Sequence, residues 1–216
     1  MQLSKLIKIL LLLIPFNIFS QGEIALSLNS DSIWRGITQN NGNPSIGADL
    51  NFNLKNGFYS GFWIENCCSE TKSYPNKEIG YKTGYSQIVK ENLIISIEYL
   101  GTNYPNSKKD NFDEIKLDFF FYNFLISYSA GLDSFPDYYE ISYEYEFLNN
   151  SLNISFGDFK PFKGNPVSNG SNIDFGVELN ANNFSFEISY FYFNSNMNSN
   201  LDSDGIVFSI TKNTFF

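Results

Sequence analysis

The sequence predicts an all-β fold, a 12-stranded antiparallel transmembrane β-barrel of outer-membrane type, and three of its features carry that expectation. Apolar and polar residues alternate with a period of two for about ten residues at a time, long enough for a tilted strand to cross a bilayer. Short and long polar connectors alternate between these segments, the layout of a barrel with tight turns on one side and loops on the other. Aromatic residues make up 18% of the 216 residues, with 23 Phe and 14 Tyr, and they crowd toward segment ends, where an interfacial girdle sits.

The chain opens on a leader. In MQLSKLIKILLLLIPFNIFSQG, Lys5 and Lys8 supply the charged start and Ile9 to Phe16 the apolar stretch. Ile18-Phe19-Ser20 then forms a permissible cleavage site before Gln21. Residues 1–20 are therefore expected to be a signal peptide and residues 21–216 the barrel. A retained anchoring helix fits less well, because the apolar stretch is short and meets Pro15 and Asn17. Two of the 14 basic residues leave with the leader, so 12 remain against 23 acidic ones, a formal charge of −11. Such a chain repels phosphates, and no nucleic-acid partner is expected. Beyond the leader no run of about eighteen apolar residues occurs, which excludes helical spans and leaves strand spans open.

Each strand is justified by the residues it places on one face. The first carries Ile24, Leu26, Leu28 and Trp34, the second Ile46, Ala48, Leu50, Phe52 and Leu54. Phe58, Phe62 and Ile64 mark the third, Ile79, Tyr81, Thr83 and Tyr85 the fourth, and Leu93, Ile95, Ile97 and Tyr99 the fifth. Ile115, Leu117, Phe119 and Phe121 form the sixth, followed by Phe124, Ile126, Tyr128 and Ala130. Tyr139, Ile141, Tyr143, Tyr145 and Phe147 precede Leu152, Ile154 and Phe156. The last three carry Ile173, Phe175, Val177 and Leu179, then Phe184, Phe186, Ile188, Tyr190 and Tyr192, then Ile206, Phe208 and Ile210. Short connectors fall at Lys55 to Gly57, Val89 to Asn92, Asn123, Leu148 to Ser151 and Asn182-Asn183. Long ones fall near Arg35 to Asn43, Asn66 to Lys77, Gly101 to Asn111, Asp133 to Asp137, Phe159 to Gly170 and Asn194 to Ser203.

A soluble β-sandwich would also alternate, but its strands run about five or six residues, and it would bury the aromatic face between two sheets. The barrel turns that face to outer-membrane lipid and satisfies its backbone by closure. The chain also stops at Phe216 directly after the last strand, as barrels that present a terminal aromatic to the barrel assembly machinery do.

SIWRGITQN at Ser32 to Asn40, NPSIGADLNF from Asn43, NGFYSGFWIEN at Asn56 to Asn66, EIGYKTGYS from Glu78 and YLGTNYPN from Tyr99 together resemble the TorF family of porin-like proteins. That group was formerly a conserved bacterial outer-membrane family of unknown function. In the second half the resemblance rests on strand pattern and on the closing VFSITKNTFF. Cys67-Cys68 and Glu65 depart from the small or polar residues expected after FYSGFW. The resemblance implies an outer-membrane barrel with a pore, and it transfers no catalytic residue.

If the greasy face meets lipid, the alternate residues line an interior. By this parity the inward acids are Asp31, Asp49, Glu65, Glu78, Glu98, Glu114, Asp118, Glu140, Glu144, Glu146, Asp174, Glu178 and Glu187; the inward bases are Arg35, Lys82 and Lys116. Carboxylates in such excess around an aqueous path lower the energy of cations, so the expected function is passive diffusion of small solutes with a cation preference. The competing arrangement is a salt-bridged, filled interior built on those three bases. Arg35, one base at a strand end, is the expected constriction. Tyr59, Trp63, Phe120, Tyr122 and Phe191 are expected inside too, either stacking against a small organic solute or packing over Gly61, Gly80, Gly84, Gly131, Gly157 and Gly176.

Composition limits enzymatic readings. The chain has no histidine, which removes mechanisms with a His general base or His-ligated zinc. Glu140, Glu144 and Glu146 share a strand face, yet alternating acids suit any polar lumen as well as a carboxylate-pair hydrolase. GFYSGF lacks the helix a phosphate loop needs. No cofactor or metal is expected. Cys67 and Cys68 read as an incidental loop pair. The connector FKPFKGNPVSNG has ordinary exposed-loop composition, which leaves a non-conducting surface-interaction or adhesion barrel as the third class.

Overall fold

The computed structural model describes residues 19–67, 76–105, 111–132, 135–160, 170–195 and 202–216. Residues 1–18, Cys68, and the middles of five long connectors lie outside the described residues. The strands are β1 (Phe19–Asn29), β2 (Ile33–Trp34), β3 (Ile37–Thr38), β4 (Ser45–Leu54), β5 (Phe58–Cys67), β6 (Asn76–Lys90), β7 (Leu93–Asn103), β8 (Phe112–Phe121), β9 (Phe124–Gly131), β10 (Tyr138–Phe147), β11 (Asn150–Phe159), β12 (Gly170–Ala181), β13 (Phe184–Ser195) and β14 (Ser203–Phe215).

Every neighbouring pair is antiparallel, and β1 pairs with both β4 and β14, so twelve strands close on themselves and leave no edge. The sandwich is thereby excluded, since one closed sheet has no second layer to cover its aromatic face. At the seam Gly22 and Phe216 exchange backbone hydrogen bonds of 2.9 and 3.0 Å. The Phe216 ring lies over Gly22, where a Cβ would come within 2.5 Å of it.

The exterior is apolar from strand to strand. Leu26, Ile46, Phe62, Ile126, Phe175, Ile188 and Phe208 all stand exposed there while their sequence neighbours face in. A continuous band of this kind belongs in hydrocarbon, not water. Aromatic rings gather toward both rims. Near the long loops Tyr81 donates to Asp113 at 3.3 Å and Tyr128 to Asp137 at 3.1 Å. Near the short turns Phe58 meets Tyr85 and Phe124 meets Tyr143, each with ring centroids 4.8 Å apart.

The packed core sits inside the barrel at its long-loop end. Tyr138, Phe159 and Phe193 form it, with Trp34 and Ile37 packed against them. Trp34 therefore corrects the sequence expectation: it does not extend the lipid face of the first strand. The chain leaves β1 at Asn29 and folds the β2–β3 hairpin inward, placing the Trp34 ring 5.7 Å from both Phe112 and Phe159. Cys67 is a second correction. It closes β5, is 1% exposed and is disulfide-bonded rather than a loose loop thiol.

Candidate functional site

The interior is organised by the β2–β3 hairpin. Its two-residue turn is Arg35-Gly36, with φ of 49° and 75°, the left-handed pair that matches strand twist in a tight hairpin. Gly36 is required twice over, because a Cβ there would also lie 2.5 Å from the Asn172 Cβ. The turn delivers Arg35 across the lumen to β8, where its Nη1 and Nη2 donate to the two Glu114 oxygens at 2.8 and 3.0 Å. Nη2 also donates to Ser129 Oγ at 3.1 Å. The guanidinium centre lies 4.1 Å from the Tyr138 ring centroid and 4.6 Å from that of Trp34. Glu114 is 2% exposed, so this is a desolvated fork-to-fork pair held between aromatic faces. On the opposite side Ser203 Oγ donates to Gly36 O at 3.0 Å. The hairpin is thus tied to β8, β9 and β14 and spans the long-loop mouth.

Asp31, just before the hairpin, anchors its base. Its Oδ2 accepts from Thr38 Oγ1 at 2.6 Å and from Gly42 N at 3.1 Å. Its Oδ1 is buried without a hydrogen-bond partner.

The remaining expected lining residues fall into two groups. On β4 to β9, Lys82 stands among Asp49 and Glu98, and Lys116 among Glu98 and Asp118. The Lys116–Asp118 contact is 3.3 Å, and Asp118 also accepts from Ser127 and Ser96. Tyr59 hydrogen-bonds Glu98. Trp63 Nε1 donates to Glu78 Oε1 at 2.6 Å, and Tyr104 donates to Glu78 Oε2 at 2.9 Å. These aromatics follow the packing alternative: a Cβ on Gly80 would fall 1.8 Å from the Trp63 ring, and one on Gly84 2.4 Å from Tyr59. Across the lumen, β10, β12 and β13 contribute Glu140, Glu144, Asp174, Glu178 and Glu187, with Glu178 directly opposite Glu187 in the ladder. No Lys or Arg points inward from those three strands.

Phe120 and Glu144 line a cavity of about 290 Å³ at the short-turn mouth. Tyr122 lines the same cavity from the β8–β9 turn, with φ of 51°, two-thirds exposed and edge-on to Phe121, so it stands at the mouth of the lumen. The described residues add contributors that the sequence reading missed. Glu23 joins the inward acids beside Asp49, and Tyr138, Phe159 and Phe193 form the bed for the hairpin. Parity alone would have found Tyr138, two residues before Glu140, and Phe193, two after Phe191.

Two cavities flank the hairpin on the β13–β14 side. A cavity of about 590 Å³ at the long-loop rim is lined by Asp31, Thr38, Gly42, Phe191, Asp202 and Asp204, together with Ile206 and Phe208 of the outer face. An inner chamber of about 360 Å³ is lined by Asp31, Arg35, Glu65, Glu140, Asp174, Glu187 and Phe191 among others. Asp31 and Phe191 belong to both. Among the described residues no group of three or more His, Cys, Asp or Glu is placed to hold a metal ion.

A family model for Gcw_chp, a bacterial protein of unknown function, matches residues 19–198. Among curated proteins none matches the sequence significantly. The fold is similar to that of the KdgM porin, at 7% identity over 89% of this chain and 98% of that one, with a TM-score of 0.63. A structure of that porin in complex with disordered oligogalacturonate superimposes with the same score. The NanC porin gives 8% identity, 88% and 98% coverage and 0.58, and LpxR from Salmonella typhimurium 9%, 88%, 99% and 0.55. At these identities the likeness is one of fold.

Proposed function

Since this chain belongs to the Gcw_chp family, of unknown function, and closes twelve strands around an acidic interior, we propose that it is a bacterial outer-membrane channel for passive diffusion of small solutes, favouring cations. The observation that carries this reading is the unneutralised wall of β10, β12 and β13. Of the three inward bases, Arg35 is committed to Glu114 and Lys116 to Asp118, while Lys82 faces Asp49 and Glu98. Glu140, Asp174, Glu178 and Glu187 are left to set the potential along the open side of the lumen, which stabilises cations and repels anions. The porin folds of KdgM and NanC and the TorF-type motifs point to the same class.

Residues 1–20 direct export in this reading, the short turns face the periplasm, and Phe216 is presented to the barrel assembly machinery. Planar-bilayer recording of the purified chain in asymmetric KCl tests the proposal. The expected result is single-channel steps with a reversal potential of the sign set by potassium. Absence of steps overturns the channel, and a chloride-signed reversal overturns the role of the acidic wall.

The hairpin across the mouth favours a restricted, solute-selective passage over a wide unselective one. Asp31 and Phe191 line the inner chamber beneath the hairpin.

A further inference from the structure

We propose that the lumen holds a binding site for a small linear aliphatic polyamine, seated in the inner chamber beneath the hairpin, with the Asp31 carboxylate as its principal anchor. The site rests on the channel reading and names the solute class that the passage selects.

Asp31 is only 7% exposed. Thr38 and Gly42 hold one of its oxygens, and the other is buried with no partner. A carboxylate oxygen desolvated without a donor is costly unless something supplies one. The side chain lines the inner chamber. Phe191, 6% exposed, is another of its walls. An aromatic face beside a carboxylate suits an ammonium group on an aliphatic stem, by charge pairing and by cation–π attraction.

The rest of the chamber extends the match. Glu140, Asp174 and Glu187 line it together with Val207. Its acids come from different strands and form no metal-holding group, so they suit separated ammonium groups joined by methylenes better than one compact ion. Arg35 lines the same chamber, but Glu114 holds its guanidinium in a bidentate pair. At about 360 Å³ the chamber falls within the size range of small-ligand pockets.

The test is calorimetric titration of the full-length chain, expressed into the outer membrane and purified in detergent, with spermidine as the probe. Wild type is expected to bind saturably. Asp31→Asn keeps an acceptor for Thr38 while removing the charge, and should weaken binding at least about tenfold, the cost of losing one charge-assisted contact. Phe191→Leu should weaken it less. Glu91→Gln, in the exposed β6–β7 turn, removes the same net charge and should change nothing. No saturable binding by wild type, or equal losses in Asp31→Asn and Glu91→Gln, overturns the site. If Asp31→Asn fails to fold, as judged by heat-modifiable gel migration, Glu187→Gln and Asp174→Asn carry the test: weaker binding supports the site and unchanged binding overturns it. Bilayer recording separates the two readings. Saturable, Asp31-dependent binding without channel steps keeps the site and removes the channel; cation-selective steps without spermidine binding do the reverse.

Discussion

Replacing Arg35 with alanine should unseat the β2–β3 hairpin. The side chain makes two hydrogen bonds of 2.8 and 3.0 Å to Glu114 and one of 3.1 Å to Ser129, and its guanidinium lies 4.1 Å from the Tyr138 ring centroid. Truncation leaves Glu114, 2% exposed, as a buried charge without its partner. Breaking a buried ion pair from one side costs about 3–5 kcal/mol, and with tenfold per 1.4 kcal/mol the seated hairpin loses a factor of roughly 10² to 4 × 10³ relative to an open mouth. Unitary conductance in planar bilayers reads this directly: Arg35→Ala should show larger or longer openings than wild type. Adding Glu114→Gln removes the orphaned charge and should restore part of the closed behaviour. Conductance indistinguishable from wild type in Arg35→Ala would mean that Trp34, Ile37 and Ser203 hold the hairpin by themselves, and the latch would be refuted.

Three further substitutions separate shape from charge and exterior from interior. Gly36→Ala alters no charge, but its φ of 75° and a Cβ 2.5 Å from that of Asn172 make the seated turn untenable; conductance should rise as in Arg35→Ala, with ion selectivity unchanged, in the same recordings. Ile188 and Ser189 are adjacent on β13 and face opposite ways. Ile188→Lys should lose about 2–4 kcal/mol of folded stability in denaturant titration in lipid, whereas Ser189→Lys, facing the acids of the inner chamber, should fold normally and reduce cation selectivity.

The barrel was legible because period-two alternation is a direct consequence of the pleat. Phe184 to Tyr190 alternates without a break, and β13 carries the strand through to Ser195. Inward and outward assignments followed from the same parity, which is why Glu178, Glu187 and Lys82 point inward as expected. The hairpin was not legible. In DSIWRGIT, Trp34 keeps the even-numbered phase of Ile24, Leu26 and Leu28, and no Pro, Asn-Gly or Asp-Gly marks a break. Arg35 occupies a left-handed position at which arginine is unusual, tolerated because the fold fixes its guanidinium on Glu114. That partner lies 79 residues away in sequence, and no periodicity reports such a distance. The left-handed conformation of Tyr122 in its two-residue turn was hidden for the same kind of reason, since its side chain reads as strand.

Charge and hairpin together explain how a narrow barrel could be partly filled and still carry a cationic solute. An arginine placed in the mouth would ordinarily raise the barrier to cations. Here its charge faces Glu114, on the side of the lumen that already holds Lys82 and Lys116. The body of the hairpin packs against Tyr138, Phe159 and Phe193, while Asp31, at its root, is left with one oxygen unsatisfied beside both cavities. The same inserted segment therefore blocks one part of the cross-section with a neutral, well-packed pair and supplies a negative group to the part left open. In the proposed channel, narrowing and selectivity are assigned to residues only four apart in sequence, Arg35 and Asp31, whose separate removal should change conductance in one case and binding in the other.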